Sequence, residues 1–317
     1  MKKLNTKKPK FYAIMFHRFH KSKLDRVQQG SLSENNFIKI IKKIGKKNIL
    51  SPKEWIIKFQ NNSLKKNQTC FTFDDGLKSQ KKIAIPIMKK FRIKAFFFIH
   101  SLAINNKIDN KELTSFLVSQ QYEKHDNFVK DLIQLLNLKK DFFINNKKYR
   151  DFYLKFKKLY PFYSTYDIKY RFLRNVFFDQ SHLNKKILEL FKIKKNKKLI
   201  NRIWLNKKDI KNLEKDGHTI GLHSNEHEAS ISLKNRSSQY KDYKKNLNDL
   251  KKLSKKEIFS MSHPLGSYST TTLNVLFSLG IKYGFCANLN ESLSKRHLKF
   301  EKLTIPRKDA NFIIKKN

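Results

Sequence analysis

Two short stretches of this 317-residue chain hold the side chains best suited to chemistry: Thr72-Phe73-Asp74-Asp75-Gly76 and His223-Ser224-Asn225-Glu226-His227. Adjacent carboxylates raise each other's pKa and are costly to keep charged side by side. A divalent cation relieves that cost. Two histidines four residues apart converge on one point if a helical turn follows the strand that carries them. One carboxylate and two imidazoles leave coordination positions open, the mark of a catalytic rather than a structural metal site.

Each stretch ends an apolar run. Cys70-Phe71-Thr72-Phe73 precedes the carboxylates, and Thr219-Ile220-Gly221-Leu222 precedes the histidines. Both runs read as buried strands that deliver polar groups at their C-terminal ends, with Gly76 allowing a tight turn. Further strands are expected at residues 11–16, 95–99 and 258–261, and at 283–288 as the last. Between them lie helix signals. Ser31-x-x-Glu34 opens a helix to about Lys47, with Phe37, Ile40, Ile41 and Ile44 at helical spacing. Ser51-Pro52-Lys53-Glu54 is a capping box with proline at the first helical position. Residues 78–91 form a helix that Pro86 kinks or restarts. Asn206 caps another, ended by Gly217, and residues 234–255 form a long basic one. Alternation of apolar strands with helices implies parallel pairing. About six or seven strands make an α/β fold of the incomplete (β/α) barrel type. Asp74, Asp75, His223, His227 and the 263–268 loop then share the C-terminal face, where such barrels build active sites. His100 closes its strand at that rim, as an extra candidate or a locally satisfied side chain. His218 begins its strand at the far end and reads as structural.

Residues 101–205 differ in kind. Phe128, Phe142, Tyr149, Tyr153, Phe156, Tyr160, Tyr163, Tyr170 and Phe177 are interleaved with lysines. Their helical spacing predicts three or four helices, inserted above the rim, whose aromatics form a core or lid. Stacking on nucleic acid is the competing use of such residues, but no nucleic-acid module is recognisable and no specific nucleic-acid partner is expected.

Thr72 to Gly76 resembles the first motif of the NodB-type polysaccharide deacetylases, carbohydrate esterase family four, and His223 to His227 resembles their second, His-Ser/Thr-x-x-His. Ser262-His263-Pro264-Leu265-Gly266-Ser267-Tyr268 resembles the third, in which Arg precedes Pro-Tyr-Gly, and Leu303-Thr304-Ile305-Pro306-Arg307 a closing Leu-Pro-Arg. The resemblance spans residues 11–100 and 206–310. It implies a deacetylase-like barrel over 11–317, interrupted by the 101–205 insertion and preceded by a basic tail at 1–10.

By that resemblance Asp75, His223 and His227 hold one divalent metal, with Zn the default and Fe, Mn or Co compatible with the same donors. Asp74 is the general base that takes a proton from the attacking water. The backbone N–H of Leu265, in the family's Tyr position, stabilises the oxyanion, and Tyr268 and Arg307 are substrate-side residues. Two family features are absent. Ser262 stands where the third-motif Arg belongs, so Arg307 is the candidate for the missing guanidinium. No Leu-x-His follows a clear strand, since His297 lies in a charged loop, so His17 or His263 is the candidate acid. His17 reads equally as a strand-end hydrogen bonder. The implied reaction removes an N-acetyl group from an amino sugar, within an oligosaccharide, a surface glycan or a lipid-linked glycan precursor.

The formal charge is +44, from 70 Lys and Arg against 26 Asp and Glu. Such a field attracts phosphate-bearing acceptors or an anionic membrane face, although most of the lysines read as solvated. Hydrophobic residues at 39% exclude wholesale disorder. Cys70 and Cys286 lie in separate strands and read as free thiols of a reducing compartment. The first apolar run is broken by His17 and Arg18, which does not suit a signal peptide, and no window approaches the ~18 apolar residues of a membrane span. The expectation is therefore a cytoplasmic protein, with membrane association as an option. Two rivals stand beside the hydrolase. A degenerate, non-catalytic barrel would bind anionic glycan or lipid-linked sugar. A His-x-x-Glu-His zinc peptidase would need a helix through residues 223–227 and would leave Asp74 and Asp75 idle.

Overall fold

Seven short parallel strands carry the architecture in a computed structural model of the chain. It describes residues 13–21, 27–28, 30–105, 107–159, 163–192, 197–228, 230–287 and 300–314. The strands are β1 (Ala13–Phe16), β2 (Phe71–Phe73), β3 (Ala95–Ile99), β4 (Thr219–Leu222), β5 (Ser260–Ser262), β6 (Tyr283–Phe285) and β7 (Arg307–Asp309). Their order in the sheet is β6-β5-β4-β3-β2-β1-β7, every pairing parallel. Phe285 of β6, on one edge, bridges Ile305, and Arg307 two residues later opens β7, the strand on the other edge, where it pairs with Ala13 of β1. The segment from Ile305 onward therefore forms one edge strand and bridges back to the other edge, nearly closing the sheet into a barrel. This is the incomplete (β/α) barrel that strand-helix alternation implies.

Side-chain parity follows from the pleat. Phe71, Phe73, Phe97 and Ile99 join the apolar cluster that also holds Phe37, Ile40, Ile41, Ile210 and Leu213 from the surrounding helices. The alternate residues Cys70, Phe96, Phe98 and Phe285 join a second cluster with Ala13, Trp55 and Ile305. Phe96 and Phe98 lie 5.2 and 5.3 Å from Phe285 although two strands separate them in the sheet, so these rings fill the barrel interior. Gly221 is needed where it stands: a Cβ there would come within 2.6 Å of Phe98 and of the Ser260 carbonyl.

The helix signals read from the sequence hold with small shifts. Glu34–Ile44 is capped by Ser33, not Ser31. Pro52–Gln60 has its complete Ser51/Glu54 capping box, and Asn206 caps Lys207–Lys215. Pro86 sits in the first turn of Ile85–Lys90, which restarts after a π-helical stretch at Gln80–Ala84; the wider turn absorbs the hydrogen bond that proline cannot make. The basic helix, here α1, runs Arg236–Lys251. One strand departs from expectation. β7, not residues 283–288, is the last, and β6 stops at Phe285. Arg307-Lys308-Asp309 is polar and has no strand pattern; its pairing with β1 is what makes it a strand.

The chain divides into two units, one holding residues 1–25, 30–109 and 197–317 and the other residues 26–29 and 110–196. The second unit has more helices than the three or four expected: Asn110–Gln121, His125–Leu135, Phe142–Asn145, Lys147–Leu159, Thr165–Phe172 and Gln180–Leu190 among the described residues. Its aromatics pack on one another. Phe143, Tyr149 and Phe172 centre a cluster joined by Phe142, Phe152, Tyr153, Phe156 and Tyr163. Tyr160, His297 and the 1–10 tail lie outside the described residues. Among the described residues no helix is long and apolar enough to cross a membrane.

Candidate active site

Parity places Thr72 and Asp74 on the interior side of β2, and both are buried. The backbone then turns sharply. Asp75 has φ 72° and Gly76 φ 63°, a left-handed pair that swings the second carboxylate away from the first. Such a conformation is a strain for aspartate and is retained where surrounding contacts fix it. Gln80, in the π-helical stretch, donates from Nε2 to the Asp74 carbonyl (2.7 Å) and the His17 carbonyl (3.0 Å), pinning the turn to the end of β1.

The two carboxylates thus have different partners. Arg307, fully buried, grips Asp74 with both terminal nitrogens: Nη1 to Oδ1 and Nη2 to Oδ2, each 2.7 Å. Its remaining donors reach the Cys286 carbonyl (2.7 Å), Thr72 Oγ1 (3.2 Å) and Ser262 Oγ (2.7 Å). Ser262 Oγ in turn donates to Asp74 Oδ2 (3.1 Å). Burial pushes the Asp74 pKa up, but the charges of Arg307, His223 and His17 outweigh it and hold the carboxyl below its usual range. The expectation that a cation relieves both carboxylates is therefore corrected: a guanidinium neutralises Asp74, and Asp75 alone faces the histidines. Arg307, the candidate for the missing third-motif guanidinium, does meet Asp74. Its expected substrate-side position is wrong, because it is sealed behind Asp74.

His223 leaves the end of β4 directly, and its N–H is held by Asn246 Oδ1 (3.0 Å). The following residues form no helix; Ser224 and His227 both have positive φ, 64° and 52°. The two histidines converge through this strained loop rather than a helical turn. α1 fastens it: Asp242 accepts the N–H groups of Asn225 (2.8 Å) and Glu226 (3.1 Å). Asn246 also bonds the Ile99 carbonyl and Ser101 Oγ at the end of β3. Glu226 is exposed. A zinc-peptidase helix is thereby excluded.

His223 donates from Nδ1 to the Ser262 carbonyl (2.9 Å), and His227 from Nδ1 to Asp109 Oδ2 (2.6 Å). Each ring consequently turns Nε2 toward Asp75 Oδ1, at 3.2 and 3.3 Å. That oxygen is buried and has no hydrogen-bond partner. Donors bound at about 2.0–2.1 Å to a tetrahedral ion stand roughly 3.3 Å apart, so both Asp75–imidazole separations match edges of one coordination site, and the three donor atoms all lie within 4.8 Å of one another. Burial raises the Asp75 pKa, yet the imidazoles of His227 and His223 bring it well below the usual value.

The remaining expected residues scatter. His17, about a third exposed, brings Nε2 to 3.7 Å from Asp74 Oδ2. His263 is buried, with Nε2 committed to the Leu303 carbonyl (2.8 Å); burial lowers its pKa to about 4. Its expected role as the acid is revised, since the ring is sealed from any substrate and its Nε2–H is committed to a buried carbonyl. Tyr268 packs against it, tilted by 31° with ring centroids 4.6 Å apart, and is half-buried. Leu265 tops a tight turn, exposed and with φ 53°; the turn's own bonds come from Gly266 and Ser267. His100 lies flat on His227, with ring centroids 5.2 Å apart. Burial, reinforced by His227, lowers its pKa to about 3, so it is neutral. His218 accepts the Ala95 N–H (3.2 Å), the structural part expected of it. Sequence reading missed Asp109 altogether: it is one carboxylate in a polar stretch, with no motif around it.

Residues 155–284 match the family model for polysaccharide deacetylase. The match includes His223, His227 and the 263–268 loop but not Asp74, Asp75 or Arg307. No curated protein matches the chain. Among solved structures, the fold is similar to that of the Streptococcus pyogenes deacetylase PplD, at TM-score 0.55 and 15% identity over 96% of each chain. A de-N-acetylase from Aggregatibacter actinomycetemcomitans gives TM-score 0.55 and 13% identity over 93% of each chain. IcaB from Ammonifex degensii gives 0.54 and 13%, over 94% of this chain and 90% of that one. At these identities the likeness is one of fold.

Proposed function

We propose that this chain, of which residues 155–284 match the polysaccharide deacetylase model, is an amide-bond hydrolase that removes the N-acetyl group of an amino sugar with a divalent ion held by Asp75, His223 and His227. The observation that carries this reading is the partnerless Asp75 Oδ1 facing two Nε2 atoms whose rings are fixed from behind. An ion bound there supplies a Lewis acid that polarises the acetamide carbonyl and acidifies water. Zn suits the donor set, and Fe, Mn or Co would also fit.

The protein's own groups do the rest. Asp74 accepts a proton from the attacking water. Arg307 and Ser262 hold it ionised and aimed, and its weak basicity is matched by the acidity of that water. The new C–O bond forms, and the Leu265 N–H, standing free on its turn, donates to the oxyanion. The C–N bond then breaks as His17 gives a proton to the departing amine, and Asp74 passes the proton it took from water back to His17, 3.7 Å away, leaving acetate and a free amino sugar. The +44 charge favours an acceptor bearing phosphate, such as a lipid-linked precursor of a surface glycan met in the cytoplasm or at an anionic membrane face.

The test is acetate release from N-acetylglucosamine oligomers, with metal content measured on the same sample. Asp74→Asn should keep the ion and lower kcat by about 10²–10⁴-fold. Asp75→Ala with His223→Ala should lose both ion and activity. A stable protein that binds the oligomers without any divalent ion would support the non-catalytic barrel instead.

A further inference from the structure

His227 is held more elaborately than His223. Behind it stand two buried groups outside every motif. Asp109 accepts from Nδ1 at 2.6 Å, and His100 covers the ring face at 5.2 Å and an angle of 17°. His100 has no hydrogen-bond partner at either nitrogen, so it contributes a flat surface rather than a polar contact. His227 itself has φ 52° and sits on a loop, with no helix to fix its side chain. Its aim must come from what touches the ring.

We propose that Asp109 is the positioning residue of His227: it fixes the Nδ1–H tautomer and the ring plane, against His100, so that Nε2 is presented toward Asp75. A carboxylate on the outer nitrogen of a metal-binding imidazole also makes the inner nitrogen a better donor. This inference rests on the proposed metal site. The grouping of His100, Asp109 and His227, whose donor atoms lie within 4.8 Å, could alternatively hold a second ion. That would require the His227 ring to shed both protons, since its Nε2 already faces Asp75. The 2.6 Å separation is instead that of a charge-assisted hydrogen bond.

Competition titration of the full-length protein with Zn²⁺, and the visible spectrum of the Co²⁺ form, test it without reference to activity. Asp109→Ala should weaken the affinity about 10–100-fold and change the Co²⁺ spectrum. Asp109→Asn, nearly isosteric and able to accept the same hydrogen bond, should fall between it and wild type, and it keeps the test decisive if the alanine variant fails to fold. His100→Phe, which keeps a flat ring, should leave the affinity within about twofold, because stacking and not ligation is its part. The inference is overturned if both Asp109 variants bind as tightly as wild type. It is equally overturned if the chain takes up two ions and loses one in His100→Phe. A wild-type chain that binds no ion at all sinks this inference and the proposed function together, whereas unmoved affinity in the Asp109 variants sinks this inference alone.

Discussion

The barrel rim and the helical unit are built from similar residues, both basic and aromatic, yet they use charge in opposite ways. At the rim, ionisable groups are taken out of water and matched to one another: Asp74 with Arg307, His227 with Asp109, Asp75 toward two imidazoles. In the helical unit, cations lie over ring faces. Arg171 stands 4.1 Å from Tyr163, Lys169 4.7 Å from Phe143 and Arg174 5.4 Å from Tyr170. The rings meet mostly edge to face, as Tyr149 and Phe172 do at 5.3 Å and 72°. A buried charge pair gives little net stability, since desolvation offsets attraction, but breaking it leaves an unpaired charge. A cation over a ring is modestly favourable and leaves nothing stranded when lost. Positive φ gathers at the rim, at Asp75, Ser224, His227 and Leu265, whereas in the helical unit Asn137 and Lys192 take it just after their helices end. The rim gives up stability for geometry, and the helical unit uses its polar residues to pack.

Arg307→Ala should produce the largest effect, a loss of about 3–5 kcal/mol in denaturant unfolding, because Asp74 is left charged and buried. Adding Asp74→Asn should recover much of that loss. A cost under about 1 kcal/mol for the single change would break the contrast, showing that the rim pair behaves like a surface one. A smaller effect is expected of His218. Burial, aided by the charge of Lys94, lowers its pKa to about 4, and its neutral Nδ1 accepts the Ala95 N–H. An unfolded histidine titrates near 6.5, so between about pH 6.5 and 4 the unfolded chain binds the proton more readily. Its contribution is complete above pH 6.5 and falls by about 2 kcal/mol at pH 5. His218→Phe should flatten the pH dependence of stability by that amount; an unchanged slope would refute it. The smallest effect belongs to the helical unit, where Arg171→Gln should cost about 1 kcal/mol. A loss as large as that of Arg307 would mean that the two regions do not differ.

The convergence of Asp75, His223 and His227 is legible in the sequence because each follows an apolar run, and strands of one parallel sheet end on one face. The Ser51 and Asn206 caps are legible because a cap is settled within four residues. Arg307 is half legible: its type suits the vacant third-motif position, but nothing in the chain says that it meets Asp74, 233 positions earlier, from inside the barrel. β7 is not legible, since Arg-Lys-Asp acquires strand geometry only from β1. The loop at residues 224–227 could pass for a helical turn, since spacing alone does not report φ. His263 illustrates the reverse error. A histidine beside a motif suggests catalysis, and only the Leu303 carbonyl at 2.8 Å shows that its nitrogen is already used.

By itself the sequence determined which chemistry the chain can hold and which elements carry it, because side-chain type, helical period and strand alternation act over a few residues. The tertiary structure alone decided how that chemistry is arranged: which aspartate is neutralised, which face of each imidazole is turned inward, and that Asp109 stands behind His227. Those outcomes depend on how the last strand closes the sheet and on which distant groups must be paired once water is excluded, and neither is a local property of the chain.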